Sequence, residues 1–176
     1  MKGRRLNAPS DIGIRPTSDK VKEALFSILY GQTEGATFLD LYAGVGGVGI
    51  EALSRGASEV VFVESNIRHL QYLQQNLSQL QPIAQTIAVR GETVERFLTR
   101  QHPHPFDFIF VDPPYQSDAV EKILPIVADD DRILRDGRVI VEHFHKKVLP
   151  PQIGGLSFIK KYRYGETVLS FYARPF

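Results

Sequence analysis

Residues 37–44, "TFLDLYAG", are apolar almost without interruption until the chain runs into glycine. A run of that length reads as a strand buried on both faces, as in parallel sheets. "EVVFVE" (59–64), "QTIAVRG" (85–91), "FDFIFVD" (106–112) and "RVIVEHF" (138–144) repeat the pattern. Between these runs the period lengthens to that of a helix. Val21, Leu25, Ile28 and Leu29 follow a Thr/Ser/Asp capping cluster, and "IEALSRG" makes a short helix stopped by Gly56. Ile67, Leu70, Leu73 and Leu77 line one side of a helix over 65–79, and "TVERFLTR" and residues 118–128 supply two more.

Strands alternating with helices at this spacing predict an α/β fold, with a mainly parallel sheet and helices on both faces. The ending breaks the rhythm. "LSFIKKYRY" and "TVLSFYA" are separated only by Gly165 and Glu166, which predicts a closing antiparallel hairpin. With no internal repeat and no linker, residues 16–176 read as one domain behind a basic arm at 1–15.

Composition narrows the chemistry. The 176 residues include no cysteine, which excludes disulfides, thiolate metal sites and thiol nucleophiles. Charge is nearly balanced, 21 basic against 20 acidic residues, but unevenly placed. Lys2, Arg4, Arg5, Arg15, Lys20 and Lys22 face only Asp11 and Asp19 in the first 22 residues. Such an arm suits a phosphate backbone, although a solvated terminus has the same composition. No segment has the apolar length of a signal peptide or a membrane span, so a cytoplasmic, monomeric protein is expected.

Gly44, Gly46 and Gly49 form G-x-G-x-x-G after a strand and at the opening of a helix, where glycines let the backbone approach a ligand. Glu64 ends the next strand and is placed to accept hydrogen bonds from a ribose diol. Asp40, at the end of the first strand, suits an ammonium better than a phosphate, which favours S-adenosylmethionine over a dinucleotide. Glu92, in "RGET", is placed for an adenine amine or, equally, for a helix N-terminus.

The apolar run at 106–111 then ends in Asp112, Pro113, Pro114 and Tyr115. Two consecutive prolines stiffen the chain and give up two backbone donors, so they fix the direction of the Pro113 carbonyl. With the Asp112 carboxylate, that carbonyl makes a pair of acceptors for a flat exocyclic amine. Accepting both hydrogens localises the lone pair on nitrogen and makes it a nucleophile toward a sulfonium methyl. Tyr115 is placed to stack on the base, a contact worth roughly 1–3 kcal/mol in single-stranded recognition. The five histidines have no partners at metal-ligand spacing and read as solvated or satisfied.

"FLDLYAGVGGVGIEALSRGA", "VFVESN", "FDFIFVDPPY" and "YRYGETVLSFY", with "GRRLNAP" and "RPTSDKVKEALFSIL" ahead of them, resemble the RsmD-type methyltransferases, which modify the exocyclic N2 amine of a guanine in 16S rRNA. The resemblance runs from about Gly3 to Tyr172. It implies a Rossmann-like class I methyltransferase fold with a seven-stranded sheet, no metal, and the small-subunit rRNA or the 30S particle as partner. It implies S-adenosylmethionine binding by Asp40, Tyr42, Gly44, Gly46, Gly49, Glu64, Ser65 and Asp112, with Glu92 near adenine and Arg15 and Thr17 over the donor's amino-acid end. It assigns catalysis to Asp112, Pro113, Pro114 and Tyr115, and RNA contact to Lys2, Arg4, Arg5 and Tyr115. Asp-Pro-Pro-Tyr alone is also shared by adenine-N6 and protein-glutamine methyltransferases, so an adenine in DNA or RNA is an open alternative. A non-catalytic ribosome-assembly module is another, though it has no use for Asp112 and Pro113.

Overall fold

The computed structural model describes residue 7 and residues 19–80, 84–100, 104–114, 118–129, 131 and 133–175. Eight strands form one sheet in the order β3-β2-β1-β4-β5-β8-β7-β6. The central strands β1 (Thr37–Leu41), β2 (Glu59–Val63), β3 (Thr86–Arg90), β4 (Phe106–Val111) and β5 (Ile133–Phe144) all pair in parallel. Strand β8 (Thr167–Ala173) inserts antiparallel beside β5, and β7 (Leu156–Tyr164) pairs antiparallel with β8 as the expected hairpin.

Two features depart from the sequence reading. An eighth strand, the two-residue β6 (Gln152–Ile153), lies on the outer edge of β7. Strand β5 also starts at Ile133, where residues 138–144 were expected. Its early part pairs with Phe106 before a register irregularity that takes up the Asp136-Gly137 break in the pattern.

Burial on both faces explains the unbroken apolar strands. Phe38, Phe62 and Phe110 pack with α1 (Asp19–Ile28), α2 (Gly47–Ser54) and α3 (Ile67–Ser78) on one side. Leu39, Leu41, Val61, Val63, Ile109 and Val111 pack with α4 (Val94–Leu98) and α5 (Ala119–Ala128) on the other. Alternate side chains of each strand thus enter opposite cores. Helix starts follow local chemistry: the Asn66 side chain accepts from the Arg68 and His69 N–H groups at the head of α3, and Thr93 accepts from Arg96 at the head of α4. Among the described residues no helix is long and apolar enough to cross a membrane.

Candidate active site

The parallel strands all end at the same rim, and β1 lies between β2 and β4 there. Asp40 pairs in register with Phe62 on one side and Phe110 on the other. Glu64 and Asp112 each follow directly on the last residues of β2 and β4, and the Asp112 N–H donates to the Leu41 carbonyl at 3.4 Å. The chain order therefore reverses between β1 and β4, and open α/β sheets bind ligands in the crevice such a reversal leaves.

The three glycines of the turn have separate duties. Gly44 has φ of 57°, and a Cβ there would meet nothing within 4 Å, so the turn is open on that side. Gly46 caps α2 in the left-handed region with φ of 87°. Gly49 lies within α2, where a Cβ would run into the Phe62 ring and approach Val60 Cγ1 at 2.9 Å. It brings helix and sheet together and places its N–H over β1; a glycine is needed there for packing, not for ligand approach.

Two carboxylates hold this turn from below. Asp40 Oδ2 accepts from the Gly49 N–H at 2.9 Å, with the residue only 2% exposed. Burial raises its pKa to about 7; the Gly49 hydrogen bond opposes the shift and the Glu64 charge adds to it. Glu64 Oε2 accepts from the Gly44 N–H at 2.8 Å and Oε1 from the Asn66 N–H at 2.7 Å. Both carboxylates thus order the loop around the place where a ligand would bind. Glu92 has different company: its Oε2 lies 3.0 Å from Arg100 Nη2 and 3.5 Å from Arg96 Nε. Ser65 is exposed between Glu64 and the α3 cap.

Tyr42 follows β1 with φ of 62°, the one positive φ found outside glycine among the described residues. A left-handed conformation costs a non-glycine residue about 1–2 kcal/mol. Its hydroxyl is buried with no hydrogen-bond partner among the described residues. Burial first, and the Glu95 charge second, push its pKa above the ordinary phenol range. A strained residue with an orphaned polar atom beside an open glycine turn fits a site awaiting a polar ligand.

On the other side of β1, Asp112 is half-buried, Pro113 buried and Pro114 exposed. Pro113 and Pro114 line a small cleft with Val120, Glu142, His143, Phe144 and Lys147, between the end of β4 and the end of β5. Tyr115, Arg15, Thr17, Lys2, Arg4 and Arg5 lie outside the described residues.

Sequence reasoning missed two supports. Asn76, 2% exposed on α3, donates from Nδ2 to the Val45 carbonyl at 3.0 Å and to the Asn7 carbonyl at 3.1 Å. Its Oδ1 accepts from the Asn7 N–H at 2.8 Å. One amide side chain therefore ties the glycine turn to the "GRRLNAP" segment; an Asn among the apolar positions of α3 was the available signal. His69 Nδ1 lies 3.5 Å from Glu64 Oε2. His104 and His145 also face carboxylates, Glu59 and Glu166. Among the described residues no three acids or imidazoles converge on a possible metal position.

A family model described as Conserved hypothetical protein 95 matches residues 1–173. "Putative rRNA methyltransferase YlbH" of Bacillus subtilis is 35% identical over 175 residues, spanning 98% of this chain and 95% of that protein. Ribosomal RNA small subunit methyltransferase D of Escherichia coli K12 is 31% identical, spanning 98% and 86%. The solved structure of "Putative methyltransferase yhhF from Escherichia coli" superposes with a TM-score of 0.84 at 31% identity, covering 98% of this chain and 92% of that one. Matched from the first residues to the closing hairpin, the chain belongs to the Conserved hypothetical protein 95 family, the RsmD-type methyltransferases that its motifs resemble.

Proposed function

We propose that this methyltransferase modifies the exocyclic N2 amine of a guanine in 16S rRNA, in an assembling small ribosomal subunit. The observation that carries the reading is the position of Asp112 and Pro113 at the end of β4, one strand from Asp40 and two from Glu64. Neighbouring strands lie about 4.8 Å apart, so a donor and an amine held at adjacent strand ends are next to one another. The relatives named for ribosomal RNA support the substrate class.

S-adenosylmethionine, when bound, supplies an electrophilic methyl on a positively charged sulfur. The donor side of the site fits such a ligand. Asp40 faces its ammonium, Glu64 its ribose, and the open turn at Gly44 lets the backbone approach, with Gly46 packed against Leu73 to hold the turn in place. The bound donor gives the buried Tyr42 hydroxyl its missing partner, Ser65 and Glu92 border the adenosine, and Arg15 and Thr17 cover the amino-acid end. On the acceptor side, Asp112 and the Pro113 carbonyl accept the two amine hydrogens and orient the nitrogen lone pair toward the methyl. Pro114 keeps the turn rigid and Tyr115 stacks on a base splayed from its helix. The arm at 1–15 brings Lys2, Arg4 and Arg5 to the RNA backbone, and the Asn7–Asn76–Val45 bonds support its seating beside the donor turn.

Transfer of labelled methyl from S-adenosylmethionine to small subunits from cells lacking an enzyme of this type, with nucleoside analysis, tests the reading. Label in N2-methylguanosine is expected. Label in adenine overturns the base assignment, and absence of label with intact donor binding overturns the rRNA substrate.

A further inference from the structure

The cationic residues of β7 have no part in the site described so far. "FIKKYRY" carries Lys160, Lys161 and Arg163, all exposed, on a strand whose outer neighbour is only the two-residue β6. Position along the strand decides what each can meet. A register irregularity between Phe158 and Lys160 sends Lys160 and Tyr162 to the α1–α3 side of the sheet, where Tyr162 packs edge-on against Phe171 at 5.7 Å between ring centres. Lys160 covers the Tyr162 ring at 4.9 Å and Tyr164 packs against the same core. One face of β7 is therefore anchored.

Lys161 and Arg163 take the opposite face, toward the cleft beside Pro113 and Pro114. Lys161 pairs with Ser170, whose hydroxyl is 2.8 Å from His143 Nε2, and Arg163 pairs with Val168, itself paired with His143. His143 and Lys147 both line the cleft, and Lys147 Nζ is held 2.9 Å from Glu121. After burial, the charges of Lys147 and Lys161 are what depress the His143 pKa, so both ammoniums stand close to one imidazole. Arg163 Nε donates to the Gly165 carbonyl, which fixes the guanidinium near the hairpin turn. Neither Lys161 nor Arg163 has a carboxylate within ion-pair distance among the described residues. The hairpin turn itself returns to the catalytic rim, since Phe144 at the end of β5 pairs with Thr167. Lys147 is neutralised by Glu121, so the exposed cations on this side of the hairpin are Lys161 and Arg163, which lead across β8 toward the turn at the rim.

We propose, resting on the rRNA reading above, that Lys161 and Arg163 form a track for the phosphate backbone of the single strand that delivers the target base to Asp112 and Pro113 at the end of β4. A flexible single strand suits this face: the cations alternate along an exposed strand edge, where a backbone bound by charge can follow them. Lysines on an edge strand also discourage edge-to-edge pairing of protein copies, and the same experiment separates that duty from RNA contact.

The test is direct binding of isolated small ribosomal subunits by wild type and by a Lys161→Gln/Arg163→Gln double variant across a salt series, with Lys122→Gln on α5 as the control. Donor binding and thermal midpoint serve as the folding check. The track requires about tenfold weaker binding of the double variant at low salt, and a slope of log affinity against log salt shallower by about 1.4, two single-strand phosphate contacts. The control variant should match wild type. An unchanged affinity and slope overturn the track, as does a loss that does not depend on salt. Self-association of the double variant with an unchanged slope overturns it in favour of edge protection. If wild type labels adenine while the double variant still shows the shallower slope, the guanine reading falls and the track stands.

Discussion

On one side of the rim, the buried carboxylates of Asp40 and Glu64 accept from the Gly49 and Gly44 N–H groups of the glycine turn at 2.9 and 2.8 Å. On the hairpin side, Lys161 and Arg163 lie in solvent on an edge strand. The first region is shaped before any ligand arrives; the second can follow a partner whose own shape varies. A small donor of fixed structure rewards preorganisation, because ordering the loop in advance lowers the cost of binding. An RNA strand is recognised at the backbone by charge, which tolerates movement and declines with salt. Half-buried Asp112 and buried Pro113 stand between the two, at the end of β4.

The largest expected effect lies at that junction. Asp112→Ala removes one of two acceptors from the amine while leaving the Asp40 and Glu64 contacts in place. Methyl transfer should fall by about 10²–10³-fold, the usual cost of deleting one group that stabilises charge developing in a reaction. Donor affinity should change little. Single-turnover transfer beside donor titration measures both, and a normal transfer rate removes Asp112 from the chemistry.

The geometry of the glycine turn was legible in the sequence because its parts are local. The glycines of the turn and the acids at the strand ends, Asp40 and Glu64, all lie within residues 40–64, and the strand pattern fixes their place at the rim. On the hairpin side only the position of Asp112 and Pro113 at the end of β4 was legible. Whether Lys160 or Lys161 looks toward the cleft depends on the irregularity after Phe158, since one extra residue exchanges the faces of every position beyond it. Nothing in "FIKKYRY" announces that shift. The β5–β8–β7 pairing that brings Arg163 near His143 is likewise a product of the whole sheet. Asn76 was hidden for a similar reason: its partners lie 31 and 69 residues away.

A smaller effect tests how far the donor side is preorganised. Asp40 has its pKa raised to about 7 from an ordinary 3.8, so the folded protein holds that proton more firmly than the unfolded chain. The stability due to protonated Asp40 is full below about pH 4, is lost as pH rises to about 7, and is absent above. Its span is on the order of a few kcal/mol. Comparing wild type with Asp40→Asn in denaturant titrations at pH 4.5, 6 and 8 isolates this contribution, and the variant should gain on wild type as pH rises. Donor binding runs the other way. An ammonium needs the carboxylate, so affinity should rise about tenfold from pH 6 to pH 8 with proton release below pH 7, and Asp40→Asn should flatten the profile. A wild-type affinity independent of pH would separate Asp40 from the ammonium.

Tyr42 gives the smallest effect and the finest division between scaffold and site. Its hydroxyl is buried with no partner among the described residues, a state that costs about 1–3 kcal/mol. Tyr42→Phe keeps the ring and the strained backbone and removes only that oxygen. Without donor, the variant should be more stable by about 1 kcal/mol, read as a higher denaturation midpoint at unchanged slope. With donor, the missing partner is lost, and affinity should weaken about fivefold, within the usual worth of one hydrogen bond. The two changes have opposite signs, which simple repacking of the ring does not produce. If stability and donor affinity fall together, the hydroxyl belongs to the scaffold, and the preorganised half of the rim ends at Asp40 and Glu64.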